Sequence, residues 1–169
     1  MNRNIRRLTV AAMIAAVYFV LTMIFYVTSF QPLQSRLAEA LTVLPYFTPV
    51  AIPGLFVGCI LANILGGNGI WDVGVGRLAS LLAAYLSYKL TYKKPKRKWL
   101  APLPAVLINA VAVGIMLSVL ANNTTITSLI VNMSLVGLGQ LLACYVLGFP
   151  LMLLIERTTK LNELFKDIS

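Results

Sequence analysis

The sequence predicts an all-α integral membrane protein of six transmembrane helices with both termini cytoplasmic. Three observations predict it. Charged residues make up 11% of the 169-residue chain and hydrophobic ones 59%, against roughly 25% charge in a soluble domain. The apolar residues fall in long runs broken by proline, glycine and asparagine. Of 14 basic residues, all but Arg36 and Arg77 fall in three clusters beside those runs, and membrane proteins hold such clusters on the cytoplasmic face.

The first span is expected from about Leu8 to Phe30. Its apolar run is longer than the roughly 7–15 residues of a signal-peptide core, and no small-x-small cleavage site follows, so it reads as a retained span. A short helical stretch runs from about Leu37 to Phe47 and is ended by Pro45, Pro49 and Pro53, since proline removes a backbone donor and clashes with the preceding turn. The third span, about Val50 to Leu65, stops at Gly66-Gly67-Asn68-Gly69. The fourth is placed at about Asp72 to Tyr92 and the fifth at about Leu100 to Ala121. Asn122-Asn123-Thr124-Thr125 makes a turn, and the sixth and longest span runs from about Ser128 to Ile155. The whole of residues 1–169 forms one transmembrane domain.

Orientation follows from the basic clusters. Arg3, Arg6 and Arg7 precede the first span; Lys89, Lys93, Lys94, Lys96, Arg97 and Lys98 lie between the fourth and fifth; Arg157, Lys160 and Lys166 follow the sixth. Six crossings put all three on one face. A four-span chain with re-entrant second and third segments is the alternative. The net charge of +9 then reflects topology. A basic groove interleaved with aromatics is missing, which argues against nucleic acid as a partner.

Charge close to a bilayer is expensive and marks functional candidates. Arg36, Glu39, Asp72 and Arg77 are the charges outside the basic clusters and the C-terminal tail, and all four fall near the extracellular side with Gln34, Asn63 and Trp71. Asn63, Asn109, Asn132 and Gln140 sit in apolar surroundings. Singly, each amide reads as an interhelical hydrogen bond. Taken with the carboxylates, they offer the donors and acceptors that suit a planar heterocycle with a mixed edge, such as a purine-like base. Arg36 and Glu39, three apart on a helix, either neutralise each other or face a cavity. Asp72 opens the fourth span and reads equally as a helix cap. Tyr18, Tyr46, Trp71 and Phe30 serve either as stacking faces or as interfacial anchors.

Other chemistry is excluded or bland. The chain has no His, which removes the commonest general base, and it has no nucleotide-binding loop or nucleophile elbow. No metal site or cofactor is expected. Cys59 and Cys144 lie in apolar segments and read as buried reduced thiols. Ala11, Ala12, Ala15 and Ala16 give two overlapping small-xxx-small pairs on the first span, a pattern that lets helices approach closely in lipid. They suit either internal packing or docking of another membrane protein. Gly54 and Gly58 repeat the pattern and read as internal packing.

The residues also resemble a known family. The runs Gln34-Ser35-Arg36-Leu37-Ala38-Glu39-Ala40-Leu41-Thr42-Val43-Leu44-Pro45 and Ile52-Pro53-Gly54-Leu55-Phe56-Val57-Gly58-Cys59-Ile60-Leu61-Ala62-Asn63 carry the likeness. The run Asp72 through Ala84, Asn109-Ala110 and Gly148-Phe149-Pro150-Leu151 extend it. The chain resembles the QueT family, the queuosine-precursor S components of energy-coupling factor (ECF) transporters. The resemblance implies an S-component-like bundle in a bacterial cell membrane. Such a protein captures a 7-deazaguanine, a queuosine precursor or queuine, outside the cell. It docks through the alanine face of its first helix onto a T component driven by two ATPase subunits, and topples to release its cargo. Glu39 is implied as the partner of the guanine-like edge, with Asp72 second, Arg36 on the ring carbonyl or orienting Glu39, and Asn63 and Asn109 completing the edges. Two positions depart from the family pattern: Gln140 stands near where an acid is expected, and Arg77 where a small hydroxyl residue is. The alternatives are an S component for another vitamin or nucleobase, or a membrane scaffold whose polar residues only hold helices together.

Overall fold

The computed structural model describes residues 2–26, 36–66 and 72–168. Every regular element among them is helical. Helix α1 (Arg3–Ile24) opens on an Asn2 cap whose side chain accepts from the Asn4 amide. It begins earlier than its apolar run predicts. The 3₁₀ helix α2 (Leu37–Tyr46) follows, then α3 (Ala51–Gly66). A π-turn (Asp72–Gly76) leads into α4 (Arg77–Thr91). A 3₁₀ turn (Pro95–Leu100) leads into α5 (Leu103–Leu120). Helix α6 (Ile126–Leu141) runs on through a π segment (Leu142–Gly148) into α7 (Phe149–Arg157), and α8 (Thr159–Ile168) closes the chain.

Three helical stretches are long and apolar enough to cross a membrane: Arg3–Ile24, Pro95–Leu120 and Ile126–Arg157. Leu37–Tyr46 and Ala51–Gly66 are shorter apolar helices. Large apolar side chains such as Leu8, Ile64, Leu78, Ile126 and Leu154 are more than half exposed, as a lipid-facing surface requires.

Helix α2 is the axis of the bundle. Ala38 through Pro45 are all buried, and α1, α3, α4, the π segment and α7 surround it. Wound at about 2.0 Å per residue, its ten residues reach about 20 Å, where an α-helix would reach about 15 Å. That falls short of a hydrocarbon core of about 30 Å, so α2 depends on neighbouring protein to cover its backbone. Pro45 lies inside this helix rather than ending it, and Pro53 lies in the first turn of α3.

Close approach of backbones holds the bundle together, because lipid supplies no hydrophobic drive between helices. A Cβ on Gly58 would stand 2.8 Å from the Ala15 carbonyl oxygen and from Tyr18 Cβ. One on Gly54 would meet the Ala11 carbonyl at 2.8 Å. The α1–α3 crossing therefore requires glycine at both points. Gly148 does the same for the π segment, where a Cβ would sit 2.9 Å from the Ala40 carbonyl of α2. Between α5 and α6, half-buried Asn132 donates from Nδ2 to Ser118 Oγ at 2.8 Å, the interhelical bond expected of an amide in an apolar span. The connecting turn has Asn122 at φ 51° and Thr125 capping the Ser128 amide.

The three basic clusters meet at one end of the bundle. Arg6 pairs with Asp167, and Arg7 donates to the Ile168 carbonyl at 2.7 Å, which joins α1 to α8. Lys98 pairs with Glu156 at 2.9 Å, which joins the loop before α5 to the end of α7. The C-terminal region, read from sequence only as a charged tail, is thus a helix folded back onto the bundle with Phe165 and Ile168 buried.

Candidate functional site

The 3₁₀ repeat puts Glu39 and Thr42 on one face of α2, because side chains three apart eclipse. Thr42 Oγ1 donates to the Glu39 carbonyl at 2.6 Å, so the hydroxyl is spent on its own backbone. The Glu39 side chain is 1% exposed. Its Oε1 accepts a 2.6 Å hydrogen bond from the Tyr18 hydroxyl of α1, and its Oε2 accepts none. Arg36, 4% exposed at the start of α2, and Asn109 of α5 lie near enough to act on the carboxylate. A buried carboxylate with one oxygen unused is a costly arrangement, since each ion taken from water costs several kcal/mol unless fully paired.

A second set of polar groups borders it. Cys59 of α3 lies close to Tyr18, Arg36 and Glu39. It also meets Ser80 Oγ of α4 at 3.4 Å and accepts from Asn63 Nδ2 at 3.5 Å. On the other flank the single S–H of Cys144, in the π segment, has two acceptors, the Glu39 carbonyl and Gln140 Oε1, both 3.5 Å from Sγ. The wide π winding and Gly148 together let Cys144 reach α2. Asn63, Asn109 and Gln140 are all at least 97% buried. Six segments thus send polar groups to one place in an otherwise apolar interior.

Of the residues singled out from sequence, the structure brings together Arg36, Glu39, Asn63, Asn109 and Gln140. It leaves Arg77 exposed at the start of α4, away from the buried set, and Ser80 one turn on is the residue of α4 that enters it. Gln34 and Trp71 lie outside the described residues, as does the side chain of Asp72, whose backbone begins the π-turn.

Sequence reasoning missed the Tyr18 hydroxyl as a donor, along with Ser80, Thr42 and the polar contacts of both thiols. Both cysteines are free and buried as expected. Tyr18 was legible in one respect. It lies one helical turn beyond Ile14 and Ala15 and one before Thr22, and these four are the buried stripe of α1.

The four alanines of α1 divide. Ala15 is buried under Gly58, and Ala11 is half-buried beside Gly54. Ala12 and Ala16 are exposed, next to Met13, Val17 and Val20.

Neither a curated protein nor a solved structure matches the chain. A family model described as QueT transporter matches residues 8–157, a span that includes every helix contributing to the buried polar set. The chain therefore belongs to the QueT transporter family and is a membrane transport protein rather than an enzyme.

Proposed function

We propose that this chain is the substrate-binding subunit, or S component, of an ATP-driven ECF importer, and that its cargo is a 7-deazaguanine: a queuosine precursor or queuine. The observation that carries the reading is Glu39, buried at the bundle axis with Oε1 held by Tyr18 and Oε2 open. A guanine-like edge presents two donors side by side, a ring N–H and an exocyclic amino group. A carboxylate is an acceptor-only group with two oxygens and about four lone-pair sites. Oε2 takes one donor and the remaining lone pair of Oε1 takes the other. Arg36 meets the ring carbonyl oxygen, and the amides of Asn63, Asn109 and Gln140 satisfy the other edges. Asp72 is the second carboxylate, suited to a cationic aminomethyl substituent.

In this reading the end that gathers the basic clusters is cytoplasmic, six segments cross a bacterial cell membrane, and cargo enters from the opposite, extracellular side. The chain contains no ATPase motif, so energy comes from two partner ATPases through a T component. Docking uses the exposed Ala12 and Ala16, since Ala11 and Ala15 face α3.

Equilibrium binding of 7-deazaguanine and 7-deazaadenine to purified protein tests the edge assignment. The adenine-type edge sets a ring nitrogen lone pair against the carboxylate, and a site built for donors rejects such an analogue strongly, here by about 100-fold or more. Equal affinity for the two would refute the role given to Glu39. Failure of every small molecule to bind would favour a scaffold that only packs helices.

A further inference from the structure

Away from the buried set around Glu39, the end of the bundle that gathers the basic clusters holds a feature of its own. A cleft of ≈ 600 Å³ opens there between the end of α2, the end of α4 and α8. Tyr46, Phe47 and Tyr92 give it aromatic walls, and Lys93 and Lys166 enter it from opposite elements. Its acid is already committed: Glu156 accepts from Tyr46 at 2.8 Å and from Lys98 at 2.9 Å. Among the described residues neither Lys93 nor Lys166 pairs with a carboxylate. The cleft therefore holds two uncompensated positive charges.

Both lysines are held in place by their backbones. Phe165, the residue before Lys166, stacks on Phe47 at 5.6 Å and fixes that turn of α8. Lys93 sits just past the end of α4 at φ 57°, the left-handed position that helix ends normally give to glycine. A lysine there is strained, because its Cβ crowds the following carbonyl oxygen. Satisfying the helix dipole does not require it, because Lys89 already lies in the last turn of α4. Its ammonium instead lies 5.1 Å from the Tyr92 ring centroid, on the wall of the cleft.

We infer that this cleft binds the phosphodiester headgroup of an anionic phospholipid, with Lys93 and Lys166 clamping the phosphate and the Phe47 side carrying the glycerol carbons. Aromatic walls beside basic side chains are what a membrane–water interface selects, and each lysine near an anionic headgroup contributes about 1 kcal/mol.

The test is native mass spectrometry of the full chain, titrated with phosphatidylglycerol and with phosphatidylcholine of the same acyl chains. The wild type retains one phosphatidylglycerol in preference to phosphatidylcholine. Lys93→Gln with Lys166→Gln weakens that binding roughly 30-fold, whereas Lys96→Gln with Arg97→Gln, removing equal charge outside the cleft, changes it by no more than about twofold. Both cleft lysines are exposed, so the fold persists, and Lys93→Arg with Lys166→Arg retains the lipid. Equal losses in the two glutamine pairs, equal retention of phosphatidylcholine, or displacement of the lipid by equimolar inorganic phosphate would each overturn the inference.

Discussion

The hydroxyl of Tyr18 on α1 donates to Glu39 Oε1 on α2 at 2.6 Å, with both side chains buried. The bond joins the helix with the exposed Ala12–Ala16 face to the carboxylate at the bundle axis. Tyr18 Cβ is also the atom that a side chain at Gly58 would strike. One residue thus fixes both the α1–α3 crossing and the orientation of Glu39.

Tyr18→Phe removes this bond and leaves the ring in place. Hydrogen bonds to charged groups contribute about 1.5–3 kcal/mol. Affinity for a 7-deazaguanine is expected to fall by roughly 10- to 100-fold, read by equilibrium titration in detergent. Unchanged affinity would limit Tyr18 to a packing role.

Gly58→Ala forces a Cβ to within 2.8 Å of the Ala15 carbonyl. Overpacking of this kind costs about 1–3 kcal/mol, visible as a lower thermal unfolding midpoint. Gly74→Ala is the control, since a Cβ there meets nothing within 4 Å, and it should change stability by less than about 0.5 kcal/mol. Equal effects at the two sites would argue against the close α1–α3 approach.

Ala12→Trp and Ala16→Trp, both on the exposed side of α1, should abolish co-purification with a T component while ligand binding persists. Ala15→Trp should instead destabilise the protein itself, because Ala15 is buried beside Gly58. Intact complexes with the first two variants would move the docking surface elsewhere.

Asn132→Leu deletes the donor to Ser118 between α5 and α6. Interhelical bonds of this type contribute about 0.6–2 kcal/mol, so unfolding should shift by that amount with no change in cargo affinity. A loss of affinity would extend the site toward the 121–125 turn.

The helical segments were legible because apolar runs and their proline, glycine and asparagine breaks are local signals. The 3₁₀ winding of α2 and the π segment before α7 were not. The two segments meet backbone to backbone at Gly148 and Ala40, a fact of packing that no single window of sequence holds. Helix α8 was obscured by charge. Its stripe of Leu161, Leu164, Phe165 and Ile168 has helical spacing, yet the acids and lysines between made it read as a tail. Glu39 stood out because a carboxylate among apolar residues is costly wherever it points. Tyr18 did not, since tyrosine in a span reads first as an interfacial anchor, and only the crossing of α1 over α2 shows its hydroxyl aimed at an acid. Arg77 had the same charge signal as Glu39 but lies at a helix start on the surface, where charge is tolerated.

Whether Glu39 holds the cargo is decided by titrating Glu39→Gln with a 7-deazaguanine. Glutamine keeps the volume and the Tyr18 acceptor but replaces one carboxylate oxygen with a donor that faces the donors of the ligand. Affinity should fall by about 100-fold or more, with the variant still folded. Affinity within about twofold of wild type would contradict this role and leave Glu39 as a structural partner of Tyr18 alone.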